Sequence, residues 1–279
     1  MERKLHMSRA AIIAAMLSLA VLAAGAQQVG AQQAGAPQAG NRQTELVVSA
    51  AASLTDVLTS LAPSAQKAVG AKLLFNFGGS GALRQQIESG APADLFFSAA
   101  VEDVDKLEKA GLVDKATRVD LLSNAIVMVG DEKLKKPTSL EQLKALLSSA
   151  SLVAVGNPDA VPAGRYAIQA LKTLGLYDIV EKKLVLGGNV RQVLQYVESG
   201  SAPVGFVFAT DALTLKPDGP AKRLYEIPQS AIPTPVVYPI VVVSSSTHKA
   251  EASKLIAFLQ TKEATDAFIK AGFVVLGRK

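Results

Sequence analysis

The chain has 279 residues, of which 49% are hydrophobic and 19% charged, and its formal net charge is +5. It contains no cysteine, which excludes disulfides and thiolate metal sites. Because the acidic and basic residues are interspersed, with no basic tract, the charge pattern argues against a nucleic-acid partner.

The first 26 residues have the pattern of an export signal. Arg3, Lys4 and Arg9 precede an apolar run over 10–24, and Ala24-Gly25-Ala26 is typical of a cleavage site. The run is too short and wrongly flanked for a membrane span, although an uncleaved anchor is the alternative. We therefore predict a signal peptide over 1–26 and a periplasmic or extracytoplasmic mature protein, whose formal charge without these residues is +3.

Residues 27–44 are rich in Gln, Ala and Gly and contain almost no bulky apolar side chain. Such a segment buries too little surface to offset chain entropy, which predicts a disordered tether. The folded part is expected to begin at about residue 45. The remaining chain of about 235 residues is long enough for one large domain or for two lobes.

Apolar runs alternate with amphipathic helical patterns over the first part of the folded chain. Strands are predicted at 45–50, 72–77 and 95–98, and helices at 54–68, 82–89 and 101–110. This alternation is typical of an α/β fold with a mainly parallel sheet flanked by helices.

A second block with the same alternation follows Asn124. Strands are predicted at 125–129, 152–155, 184–186 and 204–208, with helices at 139–147, 164–174 and 190–199. The last strand, 236–244, and the helices 249–260 and 262–271 are too few for a third domain. We expect one lobe from 45–123 with a return segment 234–279, a second lobe from 124–233, and a ligand cleft between them.

Two serine loops of the first lobe are candidate anion sites. Ser53 and Ser80 each lie between a predicted strand and a predicted helix, where unpaired N–H groups and a hydroxyl point the same way. Ser53 also fits a plain N-cap, with Asp56 three residues later. Ser80 lies among glycines at 78, 79 and 81, which equally suit a tight turn.

Two loops of the second lobe have the same character. Pro162 is suited to helix entry, and the small residues Ala163 and Gly164 leave the N–H groups uncovered. Arg165 could clamp an anion, but a single arginine on a helix is more often expected on the solvated surface. Val190 follows two glycines and offers only its backbone N–H. The same residues also fit structural roles without a ligand, in which Asn189 is an N-cap and each loop is a stiff connector.

Phe208, at the end of a predicted strand, is expected to face the cleft, although core packing explains any phenylalanine. Thr210 could supply a hydroxyl nearby.

Enzymatic chemistry has little support in the sequence. His6 lies in the predicted signal and His248 in a polar loop, so the chain lacks a Ser/His/Asp triad and a histidine metal cluster. Asp56, Asp94 and Asp211 have no spacing that requires acid/base work. An exported hydrolase and a surface scaffold are weaker alternatives to a binding protein. The sequence lacks the internal repeats that would favour a scaffold.

Several motifs together resemble the periplasmic molybdate-binding proteins of ABC-type importers, over essentially 45–279. They are the runs AAASLT at 50–55, GAPADLF at 90–96, VGNP at 155–158 and VPAG at 161–164. The resemblance implies a two-lobed type II solute-binding fold that acts as a monomer without a cofactor and delivers molybdate or tungstate to a membrane permease. It also implies that the oxyanion is held by Ser53, Ser80, Ala163 and Val190.

The chain departs from this family at one site position. Phe208 stands where the family usually has a tyrosine that contacts the oxyanion. A lost hydrogen bond to a charged group costs about 1.5–3 kcal/mol, so the affinity is expected to be lower unless another group substitutes. A receptor for another oxyanion or a small carboxylate is therefore the alternative.

Overall fold

A computed structural model describes residues 44–277. The predicted signal peptide, 1–26, and all of the predicted tether except Thr44 lie outside the described residues. Within the described part of the chain, no helix is both long enough and apolar enough to cross a membrane.

The described residues alternate between strands and helices. The strands are β1 (Glu45–Ala51), β2 (Lys72–Gly78), β3 (Leu95–Phe97), β4 (Val113–Ser123), β5 (Ile126–Asp131), β6 (Val153–Gly156), β7 (Leu184–Gly187), β8 (Val204–Phe208), β9 (Ala221–Glu226), β10 (Val237–Val243) and β11 (Val274–Val275). The helices are α1 (Thr55–Val69), α2 (Ser80–Glu88), α3 (Val101–Lys109), α4 (Leu140–Ser149), α5 (Pro162–Thr173), α6 (Tyr177–Val180), α7 (Val190–Glu198), α8 (Ala209–Ala212), α9 (Lys249–Phe258) and α10 (Lys262–Lys270).

The strands form two sheets. The large sheet has the order β11-β4-β10-β3-β1-β2, and the small sheet has the order β7-β6-β8-β5-β9. The α/β class is confirmed, but both sheets are mixed and not mainly parallel. In the large sheet β1 pairs in parallel with β2 and β3, whereas β10 and β11 pair antiparallel. In the small sheet β6 pairs in parallel with β7 and β8, whereas β5 pairs antiparallel with β8 and β9.

The antiparallel strands explain this error. Strand β4 was not predicted, because its residues 114–120 are mostly polar and lack an apolar run. Its Arg118 instead forms ion pairs with Asp105 and Glu108 of α3 and with Asp120 of the same strand. Strand β9 was missed for the same reason, since it begins Ala221-Lys222-Arg223.

The register of the parallel strands places the predicted site loops side by side. Ala51 at the end of β1 pairs with Gly78 at the end of β2, so the chain leaves both strands at the same edge of the large sheet. Gly156 at the end of β6 pairs with Gly187 at the end of β7 in the small sheet. Carboxyl ends of parallel strands are the usual place for ligands in α/β proteins.

The chain passes between the sheets twice. It leaves β4 of the large sheet and enters β5 of the small sheet through Asn124 and Ala125, and it returns between β9 and β10 through 227–236. Asn124 of the first connection bonds to Tyr238, which follows the second connection, and Tyr238 contacts Ser53 in one of the predicted site loops.

Candidate functional site: a small cavity between four loops

One small cavity brings together residues from both sheets. Its volume is about 10 Å³, of the order of the space that a single bound water needs, so the residues around it are closely packed. The lining residues carry no charge: Ala51, Ala52, Ser53, Gly78, Gly79, Ser80, Ala99, Val161, Pro162, Val190 and Phe208. Four of the five predicted site residues thus lie together.

Ser53 is buried in a short 3₁₀ helix, Ala52–Leu54, that precedes α1. The N-cap interpretation of this serine is wrong, because its side chain makes no capping hydrogen bond to the helix. Its Oγ lies instead 3.0 Å from the hydroxyl of Tyr238, 185 residues later. The serine is therefore held by a distant buried side chain and not by its own helix.

Ser80 is the first residue of α2 and is fully buried. Its Oγ accepts a hydrogen bond of 2.9 Å from the backbone N–H of Ala99, in the loop after β3. Gly79 before it has an ordinary extended backbone, so this glycine is needed for space and not for a left-handed turn. A Cβ at Gly79 would lie 2.7 Å from the carbonyl oxygen of Ala160.

The loops of the small sheet present helix N-termini to the same cavity. Helix α5 begins at Pro162 and α7 begins at Val190, and both of these residues line the cavity. Ala163 does not line it, but it is fully buried in the first turn of α5, next to Pro162. N–H groups in a first turn have no partner within the helix, so those of Ala163 and Val190 are available to an anion.

Asn189 is the N-cap of α7, as predicted, and its Oδ1 accepts from the N–H of Gln192 at 3.0 Å. The cap satisfies one orphan N–H of the first turn and leaves that of Val190 toward the cavity. The N-cap prediction is therefore confirmed at Asn189, while a contact between the N–H of Val190 and a ligand stays a prediction.

Phe208 lines the cavity as expected and is also packed in the core. Its ring lies 5.5 Å from that of Tyr238 and 6.4 Å from that of Tyr166. Thr210 does not replace the missing tyrosine hydroxyl. Its Oγ1 accepts from Asn124 Nδ2 at 2.9 Å, and it lines a separate cavity of about 170 Å³, which Ser53 also lines.

Next to the cavity, a helix on the large sheet contacts a loop of the small sheet directly. The N–H of Gly81 in α2 donates to the carbonyl oxygen of Ala160, in the loop before α5, at 2.9 Å. A Cβ at Gly81 would lie only 2.8 Å from Cα of Ala160. The structure is therefore closed over the cavity, and glycine is what permits this closeness.

Arg191, next to Val190, joins α7 to the helix that follows Ser53. Its Nη2 donates to Asp56 of α1 at 2.6 Å, and its Nε lies 2.5 Å from Oδ1 of the fully buried Asp211. The second contact is an ion pair without hydrogen-bond alignment. Burial, opposed by Arg191, raises the pKa of Asp211 to about 6.

Arg165, close to Ala163, makes a similar link on the other side. Its Nη2 donates to Asp103 of α3 at 3.0 Å, and Asp103 also accepts from Arg84 Nε at 3.1 Å. The expectation of a solvated surface arginine is therefore wrong, because an acidic partner on another helix holds Arg165 mostly buried.

The candidate acid/base residues have structural roles. Asp94 accepts from the N–H of Val47 and from the hydroxyl of Ser246, and its Oδ1 lies 3.2 Å from His248 Nδ1. Asp56 and Asp211 both pair with Arg191. Among residues 44–277, no cluster of His, Asp or Glu is arranged to hold a metal ion.

Comparison with known proteins agrees with this architecture. A family model described as bacterial extracellular solute-binding protein matches residues 46–274. The chain therefore belongs to the bacterial extracellular solute-binding proteins. This places it among binding proteins and not enzymes, outside the cytoplasm, as the sequence predicts.

Curated relatives within this solute-binding class cover most of the chain. The molybdate-binding protein ModA of Escherichia coli is 34% identical over 235 residues, which are 83% of this chain and 89% of ModA. ModA of Haemophilus influenzae is also 34% identical and covers 82% of this chain and 89% of its own length. The solved periplasmic molybdate-binding protein of Azotobacter vinelandii superposes with a TM-score of 0.72 at 26% identity, over 84% of this chain and all of its own.

Two residues behind the candidate site were missed by sequence reasoning. Asn124 Nδ2 donates to the hydroxyl of Tyr238 at 3.1 Å, and that hydroxyl lies 3.0 Å from Ser53 Oγ. Neither belongs to a glycine-rich or serine-rich loop, and only their positions beside the two connections between the sheets could have indicated them.

Proposed function

We propose that this protein captures molybdate or tungstate outside the cytoplasm and delivers it to the membrane permease of an ABC importer. In this proposal the first lobe, 45–123 with 234–279, supplies the hydroxyls of Ser53 and Ser80. The second lobe, 124–233, supplies the N–H groups of Ala163 and Val190. The protein acts as a monomer and is exported by the signal at 1–26.

The uncharged cavity shared by the two serines, Val190 and Phe208 carries this proposal. Hydroxyls and first-turn N–H groups can donate to every oxygen of a small anion, and the two helix N-termini favour negative charge. The nearby guanidiniums of Arg165 and Arg191 are already paired with carboxylates. Dipoles and hydrogen-bond donors, and not a cation, would thus hold the anion.

Such a set of donors selects among tetrahedral anions. Molybdate and tungstate are fully ionised near neutral pH and offer acceptors only, whereas hydrogen phosphate carries a proton that needs an acceptor in the site. Sulfate is smaller, so donors spaced for molybdate would be too far from its oxygens for good hydrogen bonds.

The named relatives support the same ligand. Two proteins called molybdate-binding are 34% identical to this chain over more than four fifths of it. Phe208 is the residue that separates this chain from the family pattern, and it argues for weaker binding and not for a different chemistry.

Calorimetric titration of the purified protein with molybdate, tungstate, sulfate and phosphate tests the proposal. We expect molybdate and tungstate to bind, sulfate to bind more weakly and phosphate to bind most weakly of the four. Equal or tighter binding of sulfate would contradict the size argument, and a small carboxylate that outcompetes molybdate would establish the alternative receptor.

A further inference from the structure

A buried tyrosine lies behind the cavity and contacts one of its serines. Tyr238, in β10, is fully buried and is absent from the cavity lining, yet its hydroxyl oxygen is 3.0 Å from Ser53 Oγ. Its ring packs on Phe208. Tyr238 can therefore influence a ligand only through Ser53 or through Phe208.

The orientation of Asn124 decides which way the protons point. Asn124 Oδ1 accepts from the N–H of Ala125 at 2.9 Å, so the amide cannot be flipped without placing two donors together. Its Nδ2 consequently donates to Thr210 Oγ1 at 2.9 Å and to the Tyr238 hydroxyl oxygen at 3.1 Å. Both protons of the amide are used.

The Tyr238 hydroxyl then has one direction left for its own proton. It accepts from Asn124, and the other polar atom recorded beside it is Ser53 Oγ. Burial raises the pKa of Tyr238 well above its ordinary value, so the hydroxyl keeps this proton. The proton of Tyr238 therefore lies on the line to Ser53, and Ser53 is the acceptor.

The oxygen of Ser80 also accepts a hydrogen bond from behind the cavity, but the donor is a backbone N–H. Its oxygen accepts from the N–H of Ala99 at 2.9 Å. Within residues 44–277 the hydrogen bond recorded for the Ser53 hydroxyl is the one to Tyr238, which the proton of Tyr238 already occupies, and no acceptor is recorded for the proton of Ser80. Each hydroxyl is thus supplied with a donor from behind and keeps its own proton for the cavity.

We infer that Tyr238, set by Asn124, is a positioning residue that makes Ser53 a hydrogen-bond donor to the bound anion and thereby selects anions that carry no proton. This inference rests on the proposed function. Without the Tyr238 hydroxyl, Ser53 could rotate and offer a lone pair to the proton of hydrogen phosphate.

The test is Tyr238→Phe, which keeps the ring that packs on Phe208 and removes only the hydroxyl. Tyr166→Phe is the matched control, because Tyr166 is also buried against Phe208 but its hydroxyl makes no hydrogen bond of good geometry within the described residues. We expect Tyr238→Phe to weaken molybdate binding about tenfold while phosphate binding stays equal or improves. Tyr166→Phe should change neither by more than about twofold.

A purely structural role would lower the affinity for every anion by the same factor, and that result would overturn the inference. A double-mutant cycle sharpens the test. If Tyr238 acts through Ser53, then Tyr238→Phe has no further effect in a Ser53→Ala background. A persistent tenfold effect in that background would assign the role to packing on Phe208.

Asn124→Ala provides a second route if Tyr238→Phe does not fold, as judged by circular dichroism. It removes the donor to the Tyr238 hydroxyl and should also narrow the preference for molybdate over phosphate. If the wild-type protein binds none of the four anions, the proposed function fails and this inference fails with it. If the wild type binds and neither variant changes the preference, the inference alone fails.

Discussion

At the scale of single residues, Phe208 is the large side chain of the cavity lining. Its ring reaches the cavity but brings no donor. We expect Phe208→Tyr to tighten molybdate binding about tenfold to a hundredfold, because a hydrogen bond to a charged group contributes about 1.5–3 kcal/mol. Calorimetry measures the change, and Phe208→Leu, which removes the ring without adding a donor, is the control. Unchanged affinity in Phe208→Tyr would mean that another group already occupies that position.

Gly81 allows the loops of the two sheets to touch. Gly81→Ala would place a Cβ 2.8 Å from Cα of Ala160, so we expect the cleft to remain partly open and molybdate affinity to fall at least tenfold. The melting temperature without ligand should change little, because alanine favours the helix by about 1 kcal/mol over glycine and this gain offsets the loss of the contact with Ala160.

Ala82→Gly in the same turn is the control for Gly81→Ala, because it weakens the helix without adding an atom. Retained affinity in Gly81→Ala would show that the contact with Ala160 is not needed for binding.

The loops of the candidate site were predictable from the sequence, because the residue patterns that mark them are local. Ser53, Ser80 and Val190 stand in small-residue loops between a strand and a helix, and strand order alone brings such loops to one edge. Tyr238 was not predictable, because it contacts Ser53 across 185 residues and its sequence context is an ordinary buried strand. A hydrogen bond between distant strands leaves no mark on either segment.

At the scale of elements, an ion pair between Arg191 and Asp56 joins α7 to α1 beside the separate cavity that both residues and Ser53 line. Asp56 is well exposed, so its removal leaves no buried charge unpaired, and such pairs contribute up to about 1 kcal/mol. We expect Asp56→Asn to speed molybdate dissociation about twofold to fivefold in stopped-flow measurements.

Glu45→Gln is the matched control for Asp56→Asn, because Glu45 pairs with Lys72 between two strands of the large sheet. It should leave the dissociation rate unchanged. If both variants speed dissociation equally, the effect is a general one of surface charge.

Element prediction succeeded where apolar runs were continuous and failed where they were not. Strands β5 and β8 are buried along their length and were found within a residue or two. Strand β4 was missed because its polar residues are held by ion pairs to other elements, which no local pattern encodes. The same omission made the sheets look more parallel than they are.

At the scale of the whole molecule, the buried Asp211 makes stability depend on pH. Its pKa is about 6 in the folded protein against an ordinary value near 3.8. The folded state therefore binds a proton more tightly than the unfolded state, and stability falls as the pH rises from about 4 to about 6. The shift corresponds to at most about 3 kcal/mol.

Denaturant unfolding of wild type and Asp211→Asn between pH 4 and pH 7 isolates this contribution, since the other carboxyls titrate in both proteins. The stability of wild type relative to the variant should decrease through that window and level off above pH 6. A difference that is constant with pH would contradict the raised pKa.

The paired charges around the cavity have a consequence for how a ligand arrives. Arg165 and Arg191 come from helices that cover the small sheet, and each pairs with an aspartate on a helix of the large sheet, Asp103 or Asp56. If the two sheets moved apart, these two pairs would break, whereas Arg191 would keep Asp211 and Asp103 would keep Arg84. The rim of the small sheet would then become more positive and the rim of the large sheet more negative. A dianion would be attracted to the positive rim of the small sheet, and dissolved salt would screen that attraction. We expect the molybdate association rate constant, measured by stopped-flow mixing, to fall several-fold between about 50 mM and 500 mM salt, with a smaller change in the dissociation rate constant. An association rate constant that does not change with salt would mean that these charges do not steer molybdate to the site.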